Sequence, residues 1–263
     1  MTMTRNDYDT AEGIRRSSLW TINKTPLHFK YEQDHPKQVT DSLRFGIAAH
    51  KLILEPEDFE NEIAIIPAIN KRTNAGKEEW AAFTEMCERE HKTAISLQDF
   101  EQIREMADAI NANPVARELL TGQHEVPFYW TDVATGEKCK CKPDCMTEYK
   151  REKLIVDYKT TNSCEDFHFE RAARDYGYKL QAGMYTEGVF LNTFEEYGFV
   201  FVAQEKNPPY AVRVYYCNES FIREGQDQFH TLLGIYHDCK ESGHWYGYEG
   251  PFNMTTELEG DMP

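Results

Sequence analysis

Basic residues are scarce in this sequence: 29 Lys and Arg stand against 45 Asp and Glu over 263 residues, a formal net charge of −16. A surface with that excess repels a polyanion, so nucleic acid is excluded as a partner unless the acids are segregated from the binding surface. Long apolar runs are missing too. No stretch approaches the roughly 18 residues of a membrane span, and residues 1–8 (MTMTRNDY) lack the basic-then-apolar layout of a secretory signal. The expected location is the cytoplasm, with no membrane partner. The seven cysteines (Cys87, Cys139, Cys141, Cys145, Cys164, Cys217 and Cys239) are an odd set without disulfide-framework spacing. No structural disulfide is expected from them. There is no internal repeat.

What remains is ordinary for a globular chain: 40% hydrophobic and 28% charged residues, enough to bury a core. Leu43, Ile47 and Leu54 recur near helical spacing over residues 41–56, with Asp41 to cap and Pro56 to stop, which predicts a helix carrying His50. Residues 63–67 read as a short strand, and 76–92 as an amphipathic helix with Trp80, Phe83 and Cys87 on one side. Ser96, three residues ahead of Asp99, predicts a capping box for a helix reaching about residue 111. Pro114 suits the first turn of a short helix ending near Leu120.

From Gly122 the pattern changes to strands over 125–130, 138–142 and 153–158, a β-meander with turns at 135–136 and 148–152. Helices over 166–174 and 178–194, a strand pair over 197–204 and 210–217, and a closing helix over 220–240 complete the order. That order predicts one α/β domain over residues 18–245, with a central mixed β-sheet flanked by helices. Residues 1–17 read as an N-terminal arm outside the domain, open to disorder. Residues 246–263 read as an acidic tail too poor in apolar residues to order itself.

Chemistry concentrates at Lys142-Pro143-Asp144 and, thirteen positions after Asp144, at Asp157-Tyr158-Lys159. If Asp144 leaves one strand and Asp157 ends the apolar run Leu154-Ile155-Val156 on its neighbour, a hairpin sets the two carboxylates side by side. Carboxylates that close repel each other and are most easily reconciled by a shared cation. Hard oxygen ligands suit Mg²⁺ or Mn²⁺. Alternation places Asp157 and Lys159 on one strand face and Tyr158 on the other. The ammonium is then placed to hold or help deprotonate a water, or to offset charge on a phosphate. The plainer alternative makes Asp144 a turn residue and Asp157 with Lys159 a surface ion pair.

The segments 46–56 (GIAAHKLILEP), 139–144 (CKCKPD), 155–161 (IVDYKTT) and 180–185 (LQAGMY) together resemble, in this order, the motifs of the RecE-type exonucleases (exodeoxyribonuclease VIII) of the PD-(D/E)xK superfamily. They are also similar to the wider RecB-type pattern of His, Asp, D-x-K and Q-x-x-x-Y. The resemblance spans about residues 18–240. It implies a PD-(D/E)xK nuclease core and a Mg²⁺-dependent exonuclease, with Mn²⁺ as an alternative ion. Such an enzyme degrades linear double-stranded DNA from 5′ ends and leaves 3′ single strands for recombination by annealing.

The resemblance further implies His50, Asp144, Asp157 and the backbone carbonyl of Tyr158 as metal ligands, and Lys159 as the catalytic lysine. Gln181 and Tyr185 match the pair near the scissile strand, and Glu125 falls where related nucleases carry an additional acid. The implied partners are DNA ends, a RecT-like single-strand annealing protein and further copies of the chain in a ring tetramer, within a phage or prophage system in a bacterial host cell. Two other functions stay open here. One is a RecB-type nuclease of other polarity or task, such as CRISPR adaptation or structure-specific cleavage. The other is a non-catalytic DNA-binding module on the same fold.

Several residues have plainer readings as well. His50, spaced helically from Ile47 and Leu54, also fits a core histidine, although Gly46 one turn earlier leaves room for a ligand. Tyr178, Gln181 and Tyr185 share a helix face, directed either at DNA or at the core. Thr160 and Thr161 can donate to DNA phosphates or lead into the next helix. Cys139, Cys141 and Cys145 have only Cys87 or Cys164 to complete a thiolate cluster and are read as buried small hydrophobes.

The charge is uneven along the chain. Residues 121–180 hold 10 Lys and Arg against 11 Asp and Glu, while the stretch from Glu241 holds five acids and no Lys or Arg. Lys138, Lys140, Lys142, Lys150, Arg151 and Lys153 cluster on the meander, which confines DNA to a narrow track near the paired carboxylates.

Overall fold

A computed structural model of the chain describes residues 5–35 and 39–251. It opens with α1 (Arg5–Thr10), α2 (Arg16–Lys24) and α3 (Pro26–Asp34), which sequence periodicity does not mark. These are followed by α4 (Asp41–Leu54), α5 (Phe59–Glu62), β1 (Ile63–Ile65), α6 (Asn74–Arg89), β2 (Thr93–Ile95), α7 (Leu97–Ala112) and α8 (Pro114–Leu119). Next come β3 (Gln123–His124), β4 (Phe128–Thr131), β5 (Lys138–Cys141), β6 (Cys145–Tyr149) and β7 (Glu152–Thr161). The chain continues through α9 (Asp166–Asp175), α10 (Tyr178–Thr193), β8 (Gly198–Glu205), β9 (Val212–Cys217) and α11 (Glu219–Ser242).

Side-chain caps fix where the helices start. Thr40, one residue before the expected Asp41, accepts the Leu43 N–H at 3.2 Å and opens α4. Asp41 instead lies in the first turn, where its charge meets the positive end of the helix dipole. The expected capping box of Ser96 and Asp99 is present on α7, and Asn113 caps α8 ahead of Pro114.

The main sheet has the order β3-β6-β7-β8-β9. β6 and β7 form an antiparallel hairpin, β7 and β8 run parallel through the α9–α10 crossover, and β8 and β9 are antiparallel. Alternation along β7 feeds two cores. Leu154, Val156 and Tyr158 join Phe45, Ala49, Ile103 and Leu119 on the face covered by α4, α7 and α8. Ile155 joins Phe169, Tyr178, Ala182, Phe199 and Phe201 on the other. A strand buried on both faces needs apolar residues in succession, which is why Leu154-Ile155-Val156 is a run and not an alternation.

Two expectations are corrected. Residues 138–142 do not continue into the sheet as part of one meander: β4 and β5 pair with each other in a separate two-stranded ribbon, and the partner of β7 is Cys145–Tyr149. Pro143 explains the break, since it has no N–H for a ladder and restricts the backbone of Lys142. Asp144 therefore precedes the first residue of β6 and does not end a departing strand.

The second correction concerns the N-terminal arm, whose described part is packed. Ile14 bridges Cys139, with Ile14 N–H donating to Lys138 O at 2.8 Å and Lys140 N–H to Ile14 O at 2.9 Å. Lys140, 2% exposed, donates its ammonium to the carbonyls of Tyr8, Asp9 and Ala11 at 2.6, 3.3 and 2.5 Å. Those carbonyls are the ones left open at the end of α1, so the buried charge is satisfied and the strap is held at the same time. At the other terminus Tyr246 O accepts the Leu27 N–H at 3.0 Å. The expected tail falls, from residue 252, outside the described residues.

α10 and α11 meet at Gly183 and Gly225. A Cβ on Gly183 would stand 2.7 Å from Gly225 Cα, and one on Gly225 would overlap Lys179 O. The close crossing seats α10 over β7. Among the described residues no helix is long and apolar enough to cross a membrane.

Candidate active site

The last β6–β7 pair is Cys145 with Val156, so Asp144 and Asp157 face each other one step beyond it, at the end of the hairpin. Asp157, 1% exposed, lies on the α10 side: Gln181 Nε2 donates to its Oδ1 at 2.5 Å, and its Oδ2 pairs with the Lys159 ammonium. That ammonium stands 5.2 Å above the Tyr178 ring. Tyr158 points the opposite way, with its ring edge-on to His50 at 5.1 Å. Its N–H donates to Asp144 Oδ2 at 2.8 Å, and His50 Nδ1 lies 3.4 Å from the same oxygen. In an extended strand the N–H and C=O of one residue leave on the same side. The Tyr158 carbonyl is therefore directed toward Asp144, where the ladder with β6 has ended.

The field at this point is strongly negative. Burial and then the Asp157 charge push Asp144 well above the usual carboxylate range; Lys159 and the Tyr158 N–H oppose the shift, and Glu125 adds to it. Burial also raises Glu125, despite its ion pair with Lys142. Glu125 sits between β3 and β4 with φ of 53°, and its N–H donates to Asp144 O at 3.2 Å. Its charge acts on Asp144, while its carboxylate pairs with Lys142.

Two carboxylates buried in each other's field, a third close by, an imidazole and a directed carbonyl form a hard donor set that fits a divalent cation. Asp157 Oδ2 is buried against the Lys159 ammonium, and Gln181 Oε1 is buried with no partner among the described residues. The fit is one of chemistry and field. Among the described residues no three His, Cys, Asp or Glu side chains already converge as a metal cage, because the carboxylates are drawn onto Lys159, Gln181 and the Tyr158 N–H.

Of the other expected residues, Gln181 reaches the site and Tyr178 seats Lys159, while Tyr185 packs half-buried between two cores with its ring 6.4 Å from Phe199. That helix face is divided: Gln181 is aimed at the carboxylates, while Tyr178 and Tyr185 pack into the core. Thr161 Oγ1 donates to Ser163 O at 3.1 Å and accepts the Ser163 N–H at 3.4 Å, closing the turn toward α9. Thr160 lies opposite Gln204 in the β7–β8 register. Cys139, Cys141 and Cys145 are buried, and burial pushes the Cys145 thiol up to about 12, as fits small core residues.

Two supporting groups escape the sequence reading. Gln204, fully buried on β8, accepts the Tyr158 hydroxyl at 2.6 Å and donates to Met106 O at 2.8 Å. It thereby ties the Asp157-Tyr158-Lys159 strand to α7. Its signal was a polar residue closing the apolar run 199–203. Behind His50, the Lys51 ammonium bridges Glu55 at 2.6 Å and Glu62 at 2.7 Å.

A family model described as a PDDEXK-like domain of unknown function (DUF3799) matches residues 16–256, and the chain belongs to that family. A structure from Eubacterium rectale, proposed to be an exonuclease, is similar at a TM-score of 0.65 with 16% identity, covering 100% of this chain and 97% of that one. The structure of SSO0001 aligns at a TM-score of 0.35 with 13% identity over 84% of this chain and 77% of that one, too loosely to bear on the fold. No curated protein matches the sequence. The expected α/β core of the PD-(D/E)xK superfamily, a mixed sheet flanked by helices, is thus the fold of this chain.

Proposed function

We propose that this member of the PDDEXK-like family is a Mg²⁺-dependent exodeoxyribonuclease acting on linear double-stranded DNA. The observation that carries the reading is the placement of Asp144 and Asp157 across the end of the β6–β7 hairpin, with Lys159 on the Asp157 carboxylate and His50 beside Asp144.

His50, Asp144, Asp157 and the Tyr158 carbonyl would hold the cation, Mg²⁺ or Mn²⁺, with Glu125 contributing charge beside them. A divalent ion bound there lowers the pKa of water and neutralises charge on a phosphodiester. Lys159, seated on the Tyr178 ring and drawn toward Asp157, would orient a water for in-line attack on phosphorus. Gln181 holds Asp157 by donating to Oδ1, and the Tyr158 N–H holds Asp144. Tyr185, Tyr178, Thr160 and Thr161 lie along the same strand and helix, where the DNA strand would run.

The Eubacterium rectale neighbour, proposed to be an exonuclease, supports digestion from ends. The likeness to RecE-type motifs supports the rest: 5′ to 3′ direction, a ring tetramer, transfer of the 3′ strand to a RecT-like annealing protein, and a phage or prophage setting in a bacterial cytoplasm. Linear duplex labelled at the 5′ or the 3′ terminus tests the direction. With Mg²⁺ the 5′ label should be released first, and release of the 3′ label ahead of it overturns the assigned polarity.

A further inference from the structure

The turn between α9 and α10 presents an open aromatic ring beside the proposed site. Tyr176 is 60% exposed. Its ring centroid lies 6.2 Å from that of Tyr178, tilted by 30°, and Tyr178 is the ring beneath the Lys159 ammonium. One ring spacing therefore separates an exposed aromatic from the ring that seats the lysine.

The backbone carrying Tyr176 is fixed from three directions. Within α9, the Tyr176 N–H donates to Ala172 O at 2.9 Å. From α2, Arg16 Nη1 donates to Tyr176 O at 3.0 Å. The next residue, Gly177, holds φ of 68° and has the Trp20 ring packed where a Cβ would stand, so only glycine fits this turn. A side chain on so constrained a backbone presents its ring to solvent at little entropic cost on binding.

We infer that Tyr176 is a stacking platform for an unpaired nucleobase of the strand being cleaved, next to the scissile phosphate. This rests on the nuclease reading above. A single exposed tyrosine is common and requires no explanation; a rigidly carried one, a ring away from the lysine of a nuclease site, does. With a phosphate at Lys159, the attached base lies outside the carboxylates, and the α9–α10 turn is the adjoining surface. Every base has a π-face, so stacking tolerates any sequence, as digestion along DNA requires. Arg16, held on the carbonyl of this turn, adds a positive charge to this edge of a chain that is otherwise acidic.

The test compares wild type, Tyr176→Ala and Tyr176→Phe with Mg²⁺ on blunt linear duplex, either intact or lacking the base at the first or second nucleotide of the digested end. Tyr176→Ala should raise KM about tenfold, as loss of a base–aromatic stack does, with kcat within about twofold. Tyr176→Phe should restore the KM of wild type. Removing the base should raise the KM of wild type by a similar factor and leave that of Tyr176→Ala where it was. Equal KM for all three proteins on intact DNA, or additive losses from the alanine and the missing base, overturns the platform while the nuclease reading stands. Absence of digestion by wild type overturns both.

Discussion

Asp144 Oδ2 accepts the backbone N–H of Tyr158 at 2.8 Å, a bond that runs from the residue before β6 to the strand carrying Asp157 and Lys159. It sets the two carboxylates opposite each other at the hairpin end. The cost of that arrangement is electrostatic.

Burial and the Asp157 charge raise the folded-state pKa of Asp144. A carboxyl whose pKa rises on folding favours the folded state as pH falls through the raised value. It loses that stability as pH climbs from about 3.9, the unfolded value, through the raised one. Asp144→Asn keeps an acceptor for the Tyr158 N–H and removes the charge. In EDTA at neutral pH it should melt a few degrees above wild type, with the gap closing near pH 4. Calorimetry across that range checks the sign.

Mg²⁺ should relieve the same repulsion in wild type. At a hundred times Kd a ligand adds about 2.7 kcal/mol, roughly 5–10 °C for a chain of this size. Asp144→Asn and Asp157→Asn should show little of that shift. Thermal melting with and without Mg²⁺ reads it, and an equal shift in all three proteins would place the cation elsewhere.

The Gly183–Gly225 crossing positions Gln181 over Asp157. Gly183→Ala forces α10 from α11 and should destabilise the fold by about 3 kcal/mol, the upper part of the range for overpacking. The surviving folded protein should digest DNA more slowly than wild type, because Gln181 moves with the helix. Urea unfolding and initial rates at low temperature separate the two effects.

How much of this is legible in the sequence depends on whether a residue's surroundings are local. Asp157 and Lys159 stand out because an apolar run, Leu154-Ile155-Val156, ends on them, and strand alternation fixes their common face. The partner strand is hidden: Cys145–Tyr149 carries no run, and its Cys and Met count as core only once β7 lies beside them. Pro143 is visible, yet its effect, separating ribbon from sheet, emerges only with the pairing.

Helices α1 to α3 are too short to show a period, and Leu19, Ile22 and Phe29 on α2 and α3 pack with Phe229 and Leu233 from the far end of the chain. Lys140 looks like a surface residue in any local window, and Gln204 shows only as a polar residue closing an apolar run. What buries them are carbonyls of Tyr8, Asp9 and Ala11 in one case, and Met106 O with the Tyr158 hydroxyl in the other. His50 is ambiguous from spacing alone and gains its meaning from Asp144, 3.4 Å away.

The most direct test of the central claim is a time course with Mg²⁺ on a mixture of linear and closed circular duplex DNA, run with wild type and with Asp157→Asn after melting shows both folded. Wild type should consume the linear molecules and spare the circles. The variant should slow digestion by more than about a hundredfold, beyond the usual loss from removing a group that merely supports a ligand. Digestion by Asp157→Asn at the rate of wild type would contradict the assignment of this hairpin end as the active site.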